Sequence, residues 1–151
     1  MTQVIFHSAA GFGEYAERLV LEFDGSADHG AVGVNDLFIV TGAVQVMVIA
    51  ACTEDLTEAL ATATIEVGIA GNTAGLIAQT NADTVDVGEI WRDNTPADME
   101  VMTGFGGAFI GGGEDIILTV GGGAGRNVNG GIIEFVCFWT PLTTDGNVAA
   151  A

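Results

Sequence analysis

The stretch Asp36–Gly71 constrains the fold more than any other part of the chain. It reads DLFIVTGAVQVMVIAACTEDLTEALATATIEVGIAG. Leu37–Val40 is continuously apolar, which predicts a strand covered on both faces. Thr41-Gly42 breaks it. In Ala43–Cys52, Val44, Val46 and Val48 take one side and Ala43, Gln45, Met47 and Ile49 the other, and both sides are mostly apolar. β-Branched residues dominate the run, which favours strand over helix. Thr62–Ile69 alternates strictly, with Ala63, Ile65, Val67 and Ile69 facing in and Thr62, Thr64, Glu66 and Gly68 facing out, the pattern of a half-buried strand. Between them, Thr53–Ala61 has the only helical character in the chain. Thr53 is placed to cap and Glu54 and Asp55 suit a first turn, so this segment reads either as one or two helical turns or as a wide loop.

The remainder repeats the theme. Tyr15–Phe23 alternates, with Leu19, Leu21 and Phe23 opposed to Arg18, Val20 and Glu22. Val4–His7, Leu76–Gln79, Glu89–Trp91, Glu100–Thr103, Ala108–Ile110 and Asp115–Val120 are shorter strand candidates. Ile132–Thr140 is the heaviest, with Ile133, Phe135, Cys137 and Trp139 on one face and Ile132, Glu134, Val136 and Phe138 on the other, closed by Pro141. The 23 glycines cluster at 111–113, 121–123 and 130–131, where they suit turns between strands. About eight or nine short strands with turn signals between them predict an all-β chain, a β-sandwich or jelly-roll-like single domain. Residues 1–33 read as an N-terminal arm with one or two strands, and residues 34–151 as the sandwich, with Asp36–Gly71 as one half and Asp115–Thr140 as the other.

Charge is the most lopsided property. Twenty acidic residues face three basic ones, Arg18, Arg92 and Arg126, with no lysine, for a formal charge of -17. Nucleic acid is an unsuitable partner, because phosphate neutralisation needs clustered cations. Anionic membrane surfaces are disfavoured for the same reason. No apolar run reaches the roughly 18–20 residues of a membrane helix, and the N-terminal segment lacks the basic region of a Sec-type signal peptide. Such acidity fits plain solubility, a salty environment, or an outward-facing surface in a crowded assembly.

Catalytic and cofactor motifs are lacking. Without lysine there is no Walker A loop, and GGGAGR at 121–126 misses the last glycine of the dinucleotide fingerprint. Asp24–Asp28 resembles the start of a calcium loop, but His29 stands at the glycine position and Asn35 at the closing glutamate. The only serines, Ser8 and Ser26, sit in no nucleophile elbow. The only histidines, His7 and His29, belong to no metal motif. Cys52 and Cys137 read as small buried hydrophobes, with a disulfide between them as the alternative. These readings predict a chain that is not an enzyme and takes no cofactor. The scarce cations and heaviest aromatics are the candidate interface residues: Arg18, Arg92, Arg126, Trp91, Phe138 and Trp139.

Two blocks carry a resemblance: FIVTGAVQVMVIAACTEDLTEALATATIEVGIAGNTAGLIAQT and ILTVGGGAGRNVNGGIIEFVCFWTPLTTDGNV. Their order of strand, T-G, Val-rich strand, connector, alternating strand, GNTAG turn, and late W-x-P-L and DG resembles tailed-phage capsid decoration (cement) proteins or other accessory head structural proteins. The resemblance covers Val34–Val148. It implies a β-sandwich that trimerises on the outer surface of an HK97-type shell, with the major capsid protein as partner and synthesis in the host cytoplasm. A head-fibre or tail-associated module recognising host-surface glycans is the second reading, which exposed Phe105, Phe109 or Trp91 would favour. A jelly-roll hydrolase ranks last.

Overall fold

The computed structural model describes residues 15–101 and 107–151. Ten strands run in chain order: β1 (Tyr15–Glu22), β2 (Gly33–Thr41), β3 (Val44–Glu58), β4 (Thr64–Ile69), β5 (Asn72–Asn81), β6 (Ile90–Trp91), β7 (Ala108–Ile110), β8 (Ile116–Gly121), β9 (Val128–Pro141) and β10 (Asn147–Ala150), with one 3₁₀ turn at Ala82–Thr84. They form two antiparallel sheets. The first has the order β1–β9–β3–β6, with β7 also on β3, and the second the order β10–β2–β8–β4–β5. Successive strands alternate between sheets except at β4–β5 and β6–β7, and 1–9–3–6 lies over 2–8–4–5, the strand order of a jelly roll with β10 added at one edge. The all-β sandwich expected from the sequence is the fold observed.

Its core lies between the sheets. Val44, Val46, Val48, Trp91, Ile133 and Phe135 from the first sheet meet Leu37, Phe38, Ile65, Val67, Ile77, Ile116 and Leu118 from the second, all buried. Burying each aliphatic or aromatic side chain of this kind is worth about 1.5–3 kcal/mol. Of the face predicted inward for β4, Ile65 and Val67 are buried and Ile69 half-buried, while Gly68, expected outward, is buried. β3 buries the side carrying Val44, Val46 and Val48, and β9 the side carrying Ile133, Phe135 and Cys137. Trp91 and Phe135 meet edge to face at 6.3 Å.

The expected halves are redistributed. Asp36–Gly71 places β2 and β4 in the second sheet and β3 in the first, and β8 and β9 separate likewise. Each sheet therefore mixes strands far apart in sequence. Tyr15–Glu22 of the expected arm pairs with β9 along its whole length, from Tyr15 opposite Trp139 to Glu22 opposite Ile132. The strand expected at Val4–His7 lies outside the described residues.

Two local expectations are corrected. Thr53–Ala61 is neither helix nor wide loop as far as Glu58, where it continues β3. Val128–Ile132 of β9 supplies its ladder partners, and Leu56 turns inward into the core. Pairing with a long strand overrides the helical bias of a segment too short to hold a helix alone. The ladder shifts register around Glu54 and Thr57. Gly131 makes that crank possible: its φ is +104°, and a Cβ there would stand 2.6 Å from the Asp55 carbonyl oxygen. The second correction concerns Leu37–Val40. It is not covered on both faces, since Ile39 is 50% exposed. A bulge between Asp36 and Phe38 turns the adjacent Leu37 and Phe38 inward together, and Val40 follows.

Candidate interaction surface

On the first sheet, even-numbered residues of β1, even-numbered residues of β9 from Ile132 onward and odd-numbered residues of β3 up to Ala51 point away from the core. Register aligns them in cross-strand rows. Ala16 lies opposite Phe138, which lies opposite Met47; Arg18 opposite Val136, opposite Ile49; Val20 opposite Glu134, opposite Ala51. Phe109 on β7 extends the face next to Gln45 and is 70% exposed. Val20 on the edge strand is 60% exposed and Ile49, Val136 and Phe138 are half-buried, while Met47 beside Phe138 is only 4% exposed, so the open part of the face is its middle rows. The outer face of this sheet is thus largely apolar, with Arg18 and Glu134 as diagonal neighbours in its middle rows.

The six residues expected at an interface separate into three groups. Arg18 and Phe138 lie on this face. Trp139 sits at the end of the sandwich, 8% exposed, with Tyr15 stacked on its ring at 4.6 Å. The open cleft beside them is lined by Pro141, Thr143, Thr144 and Asn147. The remaining three are engaged within the chain. Trp91 is fully buried in the core, so as a surface contact or an exposed glycan platform it is excluded. Its strand faces inward at Ala50, and its size fills the space beside Phe135. Its indole N–H has no hydrogen-bond partner, a cost of about 1–3 kcal/mol for a buried donor. The Arg92 guanidinium pairs with Glu100 at 3.4 Å, the two side chains 24% and 15% exposed. It is the one ion pair among the described residues. The Arg126 guanidinium donates to the Thr62 hydroxyl and ties the β8–β9 loop to Thr62, whose φ is +74°. Phe105 lies outside the described residues.

The sequence reading overlooked Val20, Glu134 and Val136 as members of one patch. Its signal was present in the apolar outer sides of Ala43–Ala50 and Ile132–Thr140, but which strands stand side by side depends on long-range pairing.

The chemistry of the other candidates is quiet. Asp24 accepts from the Ser26 amide at 2.8 Å and hydroxyl at 2.5 Å, which hold its carboxyl below the ordinary range with help from nearby His29. Asp93 is lowered in the same way by the Thr95 hydroxyl and amide. Both acids shape turns. Among the described residues, no group of three or more His, Cys, Asp or Glu side chains could hold a metal ion. No helix among them is long and apolar enough to cross a membrane.

Cys52 and Cys137 are free and buried. Burial pushes the Cys137 thiol up to about 12, with the Glu17 charge adding to it. Burial raises Cys52 to about 11, against the opposing bond to the Glu54 carbonyl and with Asp55, Asp86 and Glu89 adding to the rise. Neither is a nucleophile near neutrality. Cys52 lies opposite Ile133 on β9, four positions from Cys137. That is about 13 Å along the strand, beyond the roughly 7 Å limit between disulfide Cα atoms.

No protein-family model, curated protein or solved structure matches this chain.

Proposed function

We propose that this chain is a structural virion protein, a capsid decoration protein that binds the outside of an HK97-type phage shell as a homotrimer and stabilises it. The observation that supports this reading most is the first sheet, apolar on its outer face as well as its inner one, in a chain carrying -17 charges. A contiguous apolar patch marks a surface made to be covered. The acid-rich remainder suits the solvent side of a crowded particle. The jelly roll is a frame used by capsid and lectin domains alike, so the fold supports the reading without choosing it. Co-sedimentation with empty shells of the encoding virus tests it. The protein is expected in the shell pellet, in a fixed ratio to the major capsid protein; a protein that stays in the supernatant at saturating shell concentration contradicts the proposal.

A second reading, a head-fibre or tail-associated module for host glycans, draws on the cleft at the end of the sandwich. There Tyr15 and Trp139 stand beside the hydroxyls of Thr143 and Thr144 and the amide of Asn147. Aromatic rings with convergent hydroxyls and amides are the lining of a sugar site. Binding on a glycan array without shell binding would select this reading.

A further inference from the structure

We propose that the outer face of the first sheet is the contact between copies of this chain: Arg18 and Val20 on the edge strand β1 of one copy rest on Glu134, Val136 and Ile49 of the next. This deepens the proposed function by naming its self-association surface, and rests on the self-association part of that reading.

Charge argues for a second copy as the occupant. With 20 acids to three cations, most contacts between two copies bring like charges together. The middle rows of this face escape that repulsion. They carry one cation, Arg18, and one anion, Glu134, amid Val20, Ile49, Ala51 and Val136. Among the described residues, neither charge has an ion-pair partner within its own chain, since the one pair formed is Arg92–Glu100. The face is therefore complementary to itself: the cation of one copy meets the anion of the next. A basic partner would instead be drawn to the acid-rich surfaces elsewhere. Geometry agrees. Among the described residues β1 pairs with β9 alone, which places it at the edge of the sheet, and it carries the 60%-exposed Val20. An edge laid on a neighbour's face is a heterologous contact, the class that builds a ring such as the proposed trimer when its rotation closes. Four strands and about nine residues of β3 span roughly 600 Å² of face. That is close to the roughly 800 Å² per partner of a standard interface.

Sedimentation equilibrium of the full chain tests this. The wild type is expected as an oligomer, and Val136→Glu as a monomer with an unchanged far-ultraviolet spectrum. Arg18→Glu alone should weaken association on the order of a hundredfold, and adding Glu134→Arg should restore it. That swap keeps the test decisive if Val136→Glu fails to fold. A wild-type monomer overturns the inference, as does an Arg18→Glu chain that associates like the wild type. A folded Val136→Glu chain that keeps the oligomer mass overturns it too, as does a variant that loses shell binding alone. A wild type that associates through this face yet ignores shells sinks the decoration reading and leaves the inference standing.

Discussion

The row Arg18–Val136–Ile49 on the outside of the first sheet can be set against the row Val34–Thr119–Glu66 on the outside of the second. Both sheets put a closed apolar layer inward. Outward, the second sheet interrupts its exposed Val34 and Ile39 with Thr41, Asp36, Thr119, Thr64 and Glu66, and the Gln79 amide donates to the Glu66 carboxylate at 3.1 Å. The first sheet continues from valine to isoleucine to phenylalanine, with Arg18 and Glu134 in its middle rows and Glu22 at the far end of the edge strand. The contrast separates what holds the chain folded from what holds it to a neighbour. Inner faces of both sheets serve the first purpose, and one outer face is the proposed site of the second.

Substitutions can break this contrast. The largest effect belongs to the shared core. Phe135→Ala should destabilise by about 3–5 kcal/mol in denaturant unfolding, because it empties the space against Trp91. Gly131→Ala should follow at about 1–3 kcal/mol, since φ is +104° and the new Cβ would crowd the Asp55 carbonyl. The outer faces come next. Val136→Glu on the first sheet and Val34→Glu on the second should each cost about 1 kcal/mol or less in unfolding, yet only the first should change the sedimenting mass. Equal effects on mass would erase the contrast.

Smaller effects sharpen it. The raised thiols predict that neither cysteine reacts with an aromatic disulfide reagent at pH 8 in the native state, and that both do after denaturation. Native-state labelling of Cys137 would mean that the inner face of β9 opens. The smallest effect is at the turns. Asp24 and Asp93 have lowered folded-state pKa values, so their contribution is present above the ordinary carboxylate range and is lost as pH falls through the folded value. Asp93→Ala should therefore lower the melting temperature slightly at pH 7 and not at all at the acidic end of the titration.

Much of the fold was legible because alternation survives burial. Ile65 and Val67 of β4 were readable as inward from Thr62–Ile69 alone, and period two split Ile132–Thr140 into its two faces without knowledge of the partner, though not which of them is inward. Thr53–Glu58 was not, because its local chemistry favours a capped turn while its structure is set by β9, more than 70 residues away in sequence. Leu37-Phe38 misled because a bulge and a two-sided strand leave the same apolar run in sequence. At the candidate surface, Arg18 and Phe138 were legible as candidates from the scarcity of cations and the weight of the last strand, each on the face opposite Leu21 or Phe135. Trp91 was not, because a heavy aromatic beside an arginine suits a core as well as an interface, and Arg92 and Arg126 proved to be occupied by Glu100 and Thr62. The rows joining Val20, Glu134 and Val136 exist only once β1 is laid beside β9.

The most direct test of the whole account is a cryo-EM map of the assembled particle of the encoding virus. The account predicts the two-sheet jelly roll on the outside of the shell, in clusters of three, with the outer face of each first sheet turned toward a neighbouring copy. A shell bare of this density, or copies whose first-sheet faces point into solvent, would contradict it.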